Sequence, residues 1–270
     1  MSCPICSSAM HHCFKAVVLG KYQAQYEVCN SCGYLSAHEP HWLDEAYTRA
    51  IANADTGLVM RNFTLANKIS RVLYWIANER GQGRYLDAAG GYGMLTRIMR
   101  DFGFDFYWTD KYCENLVAPG FEYNHKLGFC SAVTVIEVLE HVVDPRVFLK
   151  EILDFSGATT LIFTTELYEG EPPQPTDWWY YSFATGQHIG FFQHRTLQKL
   201  ASDLGLNFAS ANGVHIFSKN SINPFLFNLV TNRYVSIFIP FLIRRKLGSK
   251  TTSDYEFMIN KLDGHQIREL

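Results

Sequence analysis

The chain has 270 residues, 47% hydrophobic and 15% aromatic with only 19% charged, a composition that buries a full globular core and excludes disorder as the main state. Its 24 basic residues against 26 acidic give a net charge of −2, so no global field draws it onto nucleic acid or an anionic membrane. No run of about 18 uninterrupted apolar residues occurs, and Met1-Ser2-Cys3-Pro4 lacks the basic and apolar regions of a secretion signal, so a cytoplasmic protein is expected.

Seven cysteines are an odd count, and four of them form Cys3-Pro4-Ile5-Cys6 and Cys29-Asn30-Ser31-Cys32, two C-x2-C pairs separated by 22 residues. In a reducing compartment that pattern indicates metal rather than disulfides. Two such knuckles close a tetrahedral thiolate site around Zn²⁺ and leave no position for substrate, which marks a structural site. Cys13, His11, His12 and His38 are alternative donors for one position. Residues 1–35 carry too few large apolar side chains to fold unaided, so metal binding would supply their folding energy and make them a small zinc-ribbon-like module. Lys15 and Lys21 face Glu27 as the module's only charges, so a nucleic-acid footprint is missing and no nucleic-acid partner is expected.

Residues 36–61 read as a linker and substrate-side segment. From Leu65 the apolar positions Leu65, Ile69, Val72, Leu73 and Ile76 follow a 3.6-residue period, which predicts an amphipathic helix over 64–79. Residues 62–218 then alternate between strand-like and helix-like runs, the pattern of a mostly parallel sheet covered on both faces. Strands are expected at 84–89, 104–109, weakly within 120–124, then at 132–136 and 159–165. Pro145 opens a helix between the last two. The Pro- and aromatic-rich run 166–192 has no period and is long for a connection, which reads as a lid over a site. A helix at 195–204 leads to strands 206–211 and 214–218 flanking Asn212-Gly213, a strong hairpin signal, so the sheet should end in an antiparallel pair. In the extension 219–270, Lys219, Arg233, Arg244, Arg245, Lys246 and Lys250 accompany an apolar run at 222–243. Arg233, the asparagines and Pro240 make that run a poor bilayer span. It either packs on the body or presents an interfacial surface to a membrane-linked acceptor or a partner enzyme such as a glycosyltransferase.

The turn Asp87-Ala88-Ala89-Gly90-Gly91-Tyr92-Gly93 puts small residues where a strand must bend sharply into a helix. Such a turn offers main-chain N–H groups and the positive end of a helix to a ligand, and an acid at the tip of the next strand, here Asp110, can grip a ribose diol. A dinucleotide fingerprint would place a third glycine where Thr96 stands, so NAD is disfavoured.

These residues resemble the first motif of the class I S-adenosylmethionine (SAM)-dependent methyltransferases, an acid-containing strand end followed by G-x-G-x-G, with Ala89 in place of the first glycine and Gly91 and Gly93 matching the others. The run from Glu137 through Val138, Leu139, Glu140 and His141 to Asp144 and Pro145 is similar to the strand-end motif E-V-L-E-H-x-x-D-P of one subgroup, and His188-Ile189-Gly190-Phe191-Phe192 to its H-I-x-F-F segment. The resemblance covers about 62–218 and implies a Rossmann-like seven-stranded α/β sheet. It implies that Asp87, Ala89, Gly91, Gly93 and Asp110 hold SAM and that Ile136, Glu137 and Val138 line the wall beside it. The N-terminal cysteine module adds a likeness to sugar methyltransferases that carry a zinc module ahead of the cofactor domain.

A sulfonium methyl is a strong electrophile, so the protein must chiefly align the reacting atoms and, for a hydroxyl acceptor, remove a proton. His188 on the lid and His141 after the fourth strand are the candidates for that base, with Glu137, Glu140 and His194 behind them. Each also has a purely structural reading as a cap or a backbone partner. Trp178, Trp179, Tyr180 and Tyr181 put four rings on the lid, either as a platform for a sugar acceptor or as pins holding the loop to the core. The expected activity is O-methylation of a sugar hydroxyl on a nucleotide sugar or a bacterial surface glycan. Alternatives are methylation of another small molecule or RNA, or a silent scaffold.

Overall fold

A computed structural model of the chain describes residues 2–47, 56–77, 80–234 and 239–266. Residues 48–55 of the expected linker, 78 and 79 of the expected helix and 235–238 of the apolar tail lie outside the described residues.

Strands β1 (His11–Val18) and β2 (Tyr22–Val28) form an antiparallel hairpin, and β3 (Leu35–Ala37) pairs with β2. This sheet does not stop at the composition break near residue 35, because its fourth strand comes from the lid, as given below. A short helix α1 (Leu43–Ala46) follows, preceded by Trp42, whose indole N–H donates to the Gly186 carbonyl at 2.9 Å.

Helix α2 (Leu58–Trp75) starts six residues before the predicted 64. The reason is physical: its first turns present Leu58, Arg61, Asn62 and Leu65, spaced i, i+3, i+4, i+7, to a cavity. Only from Leu65 does the apolar stripe that buries Ile69, Val72 and Leu73 begin.

The second sheet is built from β4 (Arg84–Ala88), α3 (Met94–Asp101), β5 (Asp105–Thr109), β6 (Ala132–Ile136), α4 (Pro145–Ser156) and β7 (Thr160–Thr164). The lid then gives β8 (Gly190–Phe191), and α5 (His194–Asp203), β9 (Asn207–Ala211) and β10 (Val214–Ser218) complete the domain. Strand order is β5-β4-β6-β7-β10-β9, with β5, β4, β6 and β7 parallel and the last two antiparallel. Alternate residues of these strands feed two cores: Leu86, Val133, Val135, Leu161 and Phe163 face α4 and α5, while Tyr85, Ala132, Ile162 and Ile216 face α2 and α3.

Among the described residues the expected seven strands are thus six. The third shrinks to one parallel bridge, Trp108 with Glu122, held by the Trp108 amide on the Phe121 carbonyl at 2.9 Å and the Tyr123 amide on the Trp108 carbonyl at 2.8 Å. Gly120 at φ +89° before it and the Asn124-capped turn after it leave no room for more extended residues. The closing hairpin forms as the Asn-Gly pair requires, with Asn212 and Gly213 at φ +55° and +73°. Asp144 caps α4 by accepting from the Val147 amide at 3.0 Å, with Pro145 in the first turn.

The first sheet has the order β1-β2-β3-β8. Strand β8 and Trp42's bond to Gly186 tie the 166–192 segment into the N-terminal sheet rather than leaving it as a free flap. Three tail helices, α6 (Pro224–Thr231), α7 (Ile239–Leu247) and α8 (Thr251–Gln266), close the chain. Phe227, Val230 and Ile243 pack into the α2 core. Arg244 turns inward, donating to Asn67 Oδ1 at 2.6 Å and lying 3.3 Å over the Phe102 ring. Among the described residues no helix is long and apolar enough to cross a membrane.

Candidate active site

A cavity of about 570 Å³ opens at the carboxyl ends of β4 and β6, the place where open α/β sheets bind ligands, and its volume suits a small molecule. The β4–α3 turn, the end of β6, the first turns of α2, the segment after β5 and the 166–192 segment each form part of its wall.

Within the glycine turn the backbone is locally strained. Ala89 adopts φ +53°, not the negative φ that alanine would prefer. Glu137 at φ +53° and Ser182 at φ +47° line the same cavity, so three non-glycine residues in the left-handed region surround one ligand space. The glycines divide their roles. A Cβ on Gly91, at φ +55°, would meet nothing within 4 Å, which leaves its backbone open to the cavity. A Cβ on Gly90 would sit 2.7 Å from Asp87 Oδ2, and one on Gly93 would sit 2.4 Å from Asn115 Oδ1, so those two serve close packing.

Asp87 lines the cavity and is almost fully buried. Burial pushes its carboxyl up to about 7, opposed by hydrogen bonds from the hydroxyls of Thr134 at 2.9 Å and Thr96 at 3.2 Å. Thr96, the residue that breaks the dinucleotide pattern, thus braces the acid of the turn. Asp110 does not line the cavity. It accepts from the amides of Gly91 at 2.9 Å, Tyr112 at 2.7 Å and Cys113 at 2.9 Å, so it fixes the turn from behind. Of the other expected cofactor residues, Ala89, Gly91, Ile136 and Glu137 line the cavity, whereas Gly93 and Val138 do not. Arg61 and Asn62 of α2, and Leu116 and Val117 after β5, form wall that the sequence reading missed. The i, i+3, i+4, i+7 spacing of Leu58, Arg61, Asn62 and Leu65 was the available signal.

His141 and His188 meet at the cavity with ring centroids 4.8 Å apart and planes at 87°. The Nδ1 of His141 lies 3.0 Å from the Gln187 carbonyl and that of His188 lies 2.6 Å from the Tyr180 carbonyl. A carbonyl only accepts, so both rings carry their proton on Nδ1 and leave Nε2 bare. Burial pushes His141 down to about 4 and His188 to about 3, the neighbouring imidazole adding to the second. Both are neutral, and each is a weak proton sink on its own. Behind them Glu140 is fully buried, with Oε1 accepting from the Tyr180 hydroxyl at 2.6 Å and Oε2 without a partner. His194 lies away from the cavity, its ring 4.9 Å from that of Phe208.

The four rings of the lid separate by function. Trp179, 77% exposed, and Tyr180 line the cavity. Tyr181 and Trp178 instead pack against Phe191, at 4.9 and 5.5 Å between centroids, in the core between lid and N-terminal sheet.

Cys3, Cys6, Cys29 and Cys32 converge with their sulfurs all within 4.8 Å of one another. The Cys3–Cys32 and Cys6–Cys29 separations are 3.6 and 3.4 Å, far beyond a disulfide of about 2.05 Å and close to the roughly 3.8 Å edge of a tetrahedron with metal–sulfur bonds of about 2.3 Å. The donor set therefore fits a tetrahedral metal ion. The cluster belongs to the core that contains Leu86, Val133 and Phe192. Thr196 of α5 donates to the Cys32 carbonyl at 2.7 Å, and Tyr168 donates to the Gly33 carbonyl at 2.5 Å. The knuckle is thereby clamped onto the lid and the large domain.

A parallel sheet that bears a glycine turn with open backbone, a braced strand-end acid and a ligand-sized cavity at the carboxyl edge defines a class I nucleoside-cofactor fold. Residues 60–211 match the family model described as a methyltransferase domain, more than half of the chain, and the chain belongs to that family. It is a SAM-dependent methyltransferase. No curated protein matches it. Among solved structures it is similar to magnesium protoporphyrin IX methyltransferase from Synechocystis PCC 6803 with bound SAH (S-adenosylhomocysteine), at 13% identity over 64% of this chain and 90% of that one, with a TM-score of 0.41. It is also similar to a SAM-dependent methyltransferase, possible histamine N-methyltransferase, from Thermotoga maritima, at 14% identity over 67% and 98% with a TM-score of 0.42.

Proposed function

We propose that this methyltransferase O-methylates a sugar hydroxyl, on a nucleotide sugar or on a glycan under construction. The observation that carries the reading is the continuity of one cavity. The open backbone of Gly91, the carboxyl of Asp87, two neutral imidazoles and the exposed Trp179 all line it. When bound, SAM supplies an electrophilic methyl group. Ala89, Gly91 and Asp87 would hold its polar parts, with Ile136, Leu116 and Val117 offering apolar wall. Trp179 offers a flat amphipathic face of the kind on which a sugar ring stacks, and the bare nitrogens of His141 and His188 accept a hydrogen bond from its hydroxyl. The lid, stitched to the N-terminal sheet, keeps water from the imidazoles. Zn²⁺ in the Cys3, Cys6, Cys29 and Cys32 site would hold the knuckle that supports the lid.

Calorimetry with SAM and SAH, followed by transfer of labelled methyl from SAM to a panel of nucleotide sugars and oligosaccharides, tests the reading. SAH binding with label entering a sugar is expected. Cofactor binding with label entering only non-sugar small molecules or RNA would reject the sugar assignment.

A further inference from the structure

Two of the tail helices pack on the body with one face and leave the other open. In α7, Pro240 and Ile243 are buried, while Phe241 and Leu242 on the opposite side are 60 and 58% exposed. Four residues after each of these, one turn further along the same face, stand the exposed cations Arg245 and Lys246. In α6, Phe227, Val230 and Thr231 turn inward, and Phe225 and Leu229, again four apart, point out. Four residues beyond Leu229 comes the exposed Arg233. Both helices therefore repeat one order, apolar side chains on the open face followed by a cation one turn later.

Helix α2 holds the two helices side by side. Residues four apart on its surface do this: Asn67 Oδ1 accepts from Arg244 of α7 at 2.6 Å, and Arg71 donates to the carbonyl of Asn232, at the end of α6, at 3.2 Å. The charge gathered there has one sign. From Leu204 to Ser253 there are six basic residues and no acid, and α2 carries Arg61, Lys68 and Arg71 and no acid either, in a chain whose net charge is −2. Lys68 registers the crowding, since burial first and then the guanidiniums of Arg71 and Arg233 lower its pKa. Exposed large apolar side chains grouped beside cations mark a surface that meets something anionic and apolar at once.

We propose that the open faces of α6 and α7 dock the protein on a lipid bilayer that contains anionic headgroups. The two kinds of side chain match its two layers. Phe225, Leu229, Phe241 and Leu242 enter the boundary between headgroups and acyl chains, and Arg233, Arg245 and Lys246 reach the phosphates. The phosphates of RNA would pair with the cations but leave those four apolar side chains exposed to water. Docking is interfacial, because among the described residues no helix is long and apolar enough to cross a membrane. None of these seven side chains lines the cavity, so the surface stands whether or not the acceptor is a sugar.

Flotation of the full-length protein with vesicles tests the proposal. The probe is vesicles of equimolar phosphatidylcholine and phosphatidylglycerol, with phosphatidylcholine alone as the control. The protein is expected to float with the mixed vesicles, to stay behind with the neutral ones, and to bind more weakly as salt is raised. Arg245→Glu combined with Lys246→Glu should lower binding at least tenfold, since each cation at an anionic surface is worth about fivefold. Phe241→Ser combined with Leu242→Ser should also lower it about tenfold, which a purely ionic attraction would not show. Both double variants should keep the wild-type SAH affinity and thermal midpoint. Failure to float with the mixed vesicles, or full binding by either double variant, overturns the proposal. So does binding of RNA without binding of vesicles, or a dimer that Phe241→Ser with Leu242→Ser dissolves while vesicles stay unbound.

Discussion

The hydroxyl of Tyr180 donates to Glu140 Oε1 across 2.6 Å, joining a residue of the lid to the turn after β6. Tyr180 is 1% exposed and Glu140 is fully buried. Tyr180→Phe preserves the ring and removes the donor at 2.6 Å, leaving the Thr165 hydroxyl as the remaining hydroxyl beside the carboxylate. A buried acceptor that loses its donor costs about 1–3 kcal/mol. Urea unfolding should show a loss of that size, and faster proteolysis within 166–189 should accompany it. An unchanged unfolding midpoint would mean that the lid is held by its other contacts alone.

His188→Ala separates chemistry from cofactor binding. The ring belongs to the lid and not to the glycine turn, so SAH affinity should change by less than about twofold. Turnover should fall by about tenfold, the loss of one hydrogen bond that positions the reacting hydroxyl. Single-turnover methyl transfer checks this, and undiminished turnover removes His188 from the mechanism.

Asp87 predicts the direction of a pH effect. Its folded pKa is raised to about 7 from an ordinary 3.8, chiefly by burial. Between those values the folded chain holds a proton that the unfolded chain has lost, so unfolding releases it and the ligand-free protein loses stability as pH rises toward and through 7. With SAH held by Asp87 as proposed, its α-amino cation would favour the ionised form, so binding should expel that proton. Calorimetry at pH 6 in buffers of different ionisation enthalpy should record release of up to one proton. In Asp87→Asn the release should vanish, and its persistence would place the titrating group elsewhere.

How much of this was readable from residue types depends on the range of the interaction. The Asn212-Gly213 hairpin, the Asp144-Pro145 helix start and the turn from Asp87 to Gly93 are set by local backbone chemistry, and the sequence reading found them. Helix α2 was read six residues short because the faces of Leu58, Arg61 and Asn62 answer to a cavity instead of a core. The third strand was overread because Gly120 and the Asn124 turn truncate it from both sides. His141 and His188 were both legible as chemistry-bearing residues. Their convergence with Glu140 was not, since it depends on the lid joining the N-terminal sheet through β3 and β8. The same long-range pairing places Tyr181 and Trp178 in a core and leaves Trp179 at the cavity.

The cysteine site should hold one zinc per chain, measured by elemental analysis of protein purified without chelator. Cys29→Ser should release it and lower thermal stability well beyond the N-terminal hairpin, because Thr196 and Tyr168 bond directly to the knuckle's carbonyls. Loss of a structural metal removes folding energy along with it. Zinc near zero in fully folded wild-type protein contradicts the four-thiolate site.

Helix α8 is fastened to the methyltransferase domain by Asp254, which pairs with both Arg100 and Arg97. Arg100 donates through Nε and Nη2 to the two oxygens of Asp254, at 2.8 and 2.7 Å, and its guanidinium lies 3.7 Å over the Phe121 ring. Breaking a buried pair by removing one partner costs about 3–5 kcal/mol. Arg100 retains the Phe106 carbonyl at 2.8 Å and Asp105 at 3.1 Å, so Asp254→Ala should fall at the lower end of that range. Burial opposes ionisation of Asp254, but Arg100 and Arg97 outweigh it and hold its pKa below the usual carboxylate value. Its contribution is therefore fully present above about pH 4 and is lost as pH falls through the depressed folded pKa. Hydrogen exchange should show α8 amides opening in Asp254→Ala while those of β4 and β6 stay protected. Equal protection of α8 in variant and wild type would show that Met258 and Phe257, packed beside Gly120 and Phe121, suffice to hold the helix.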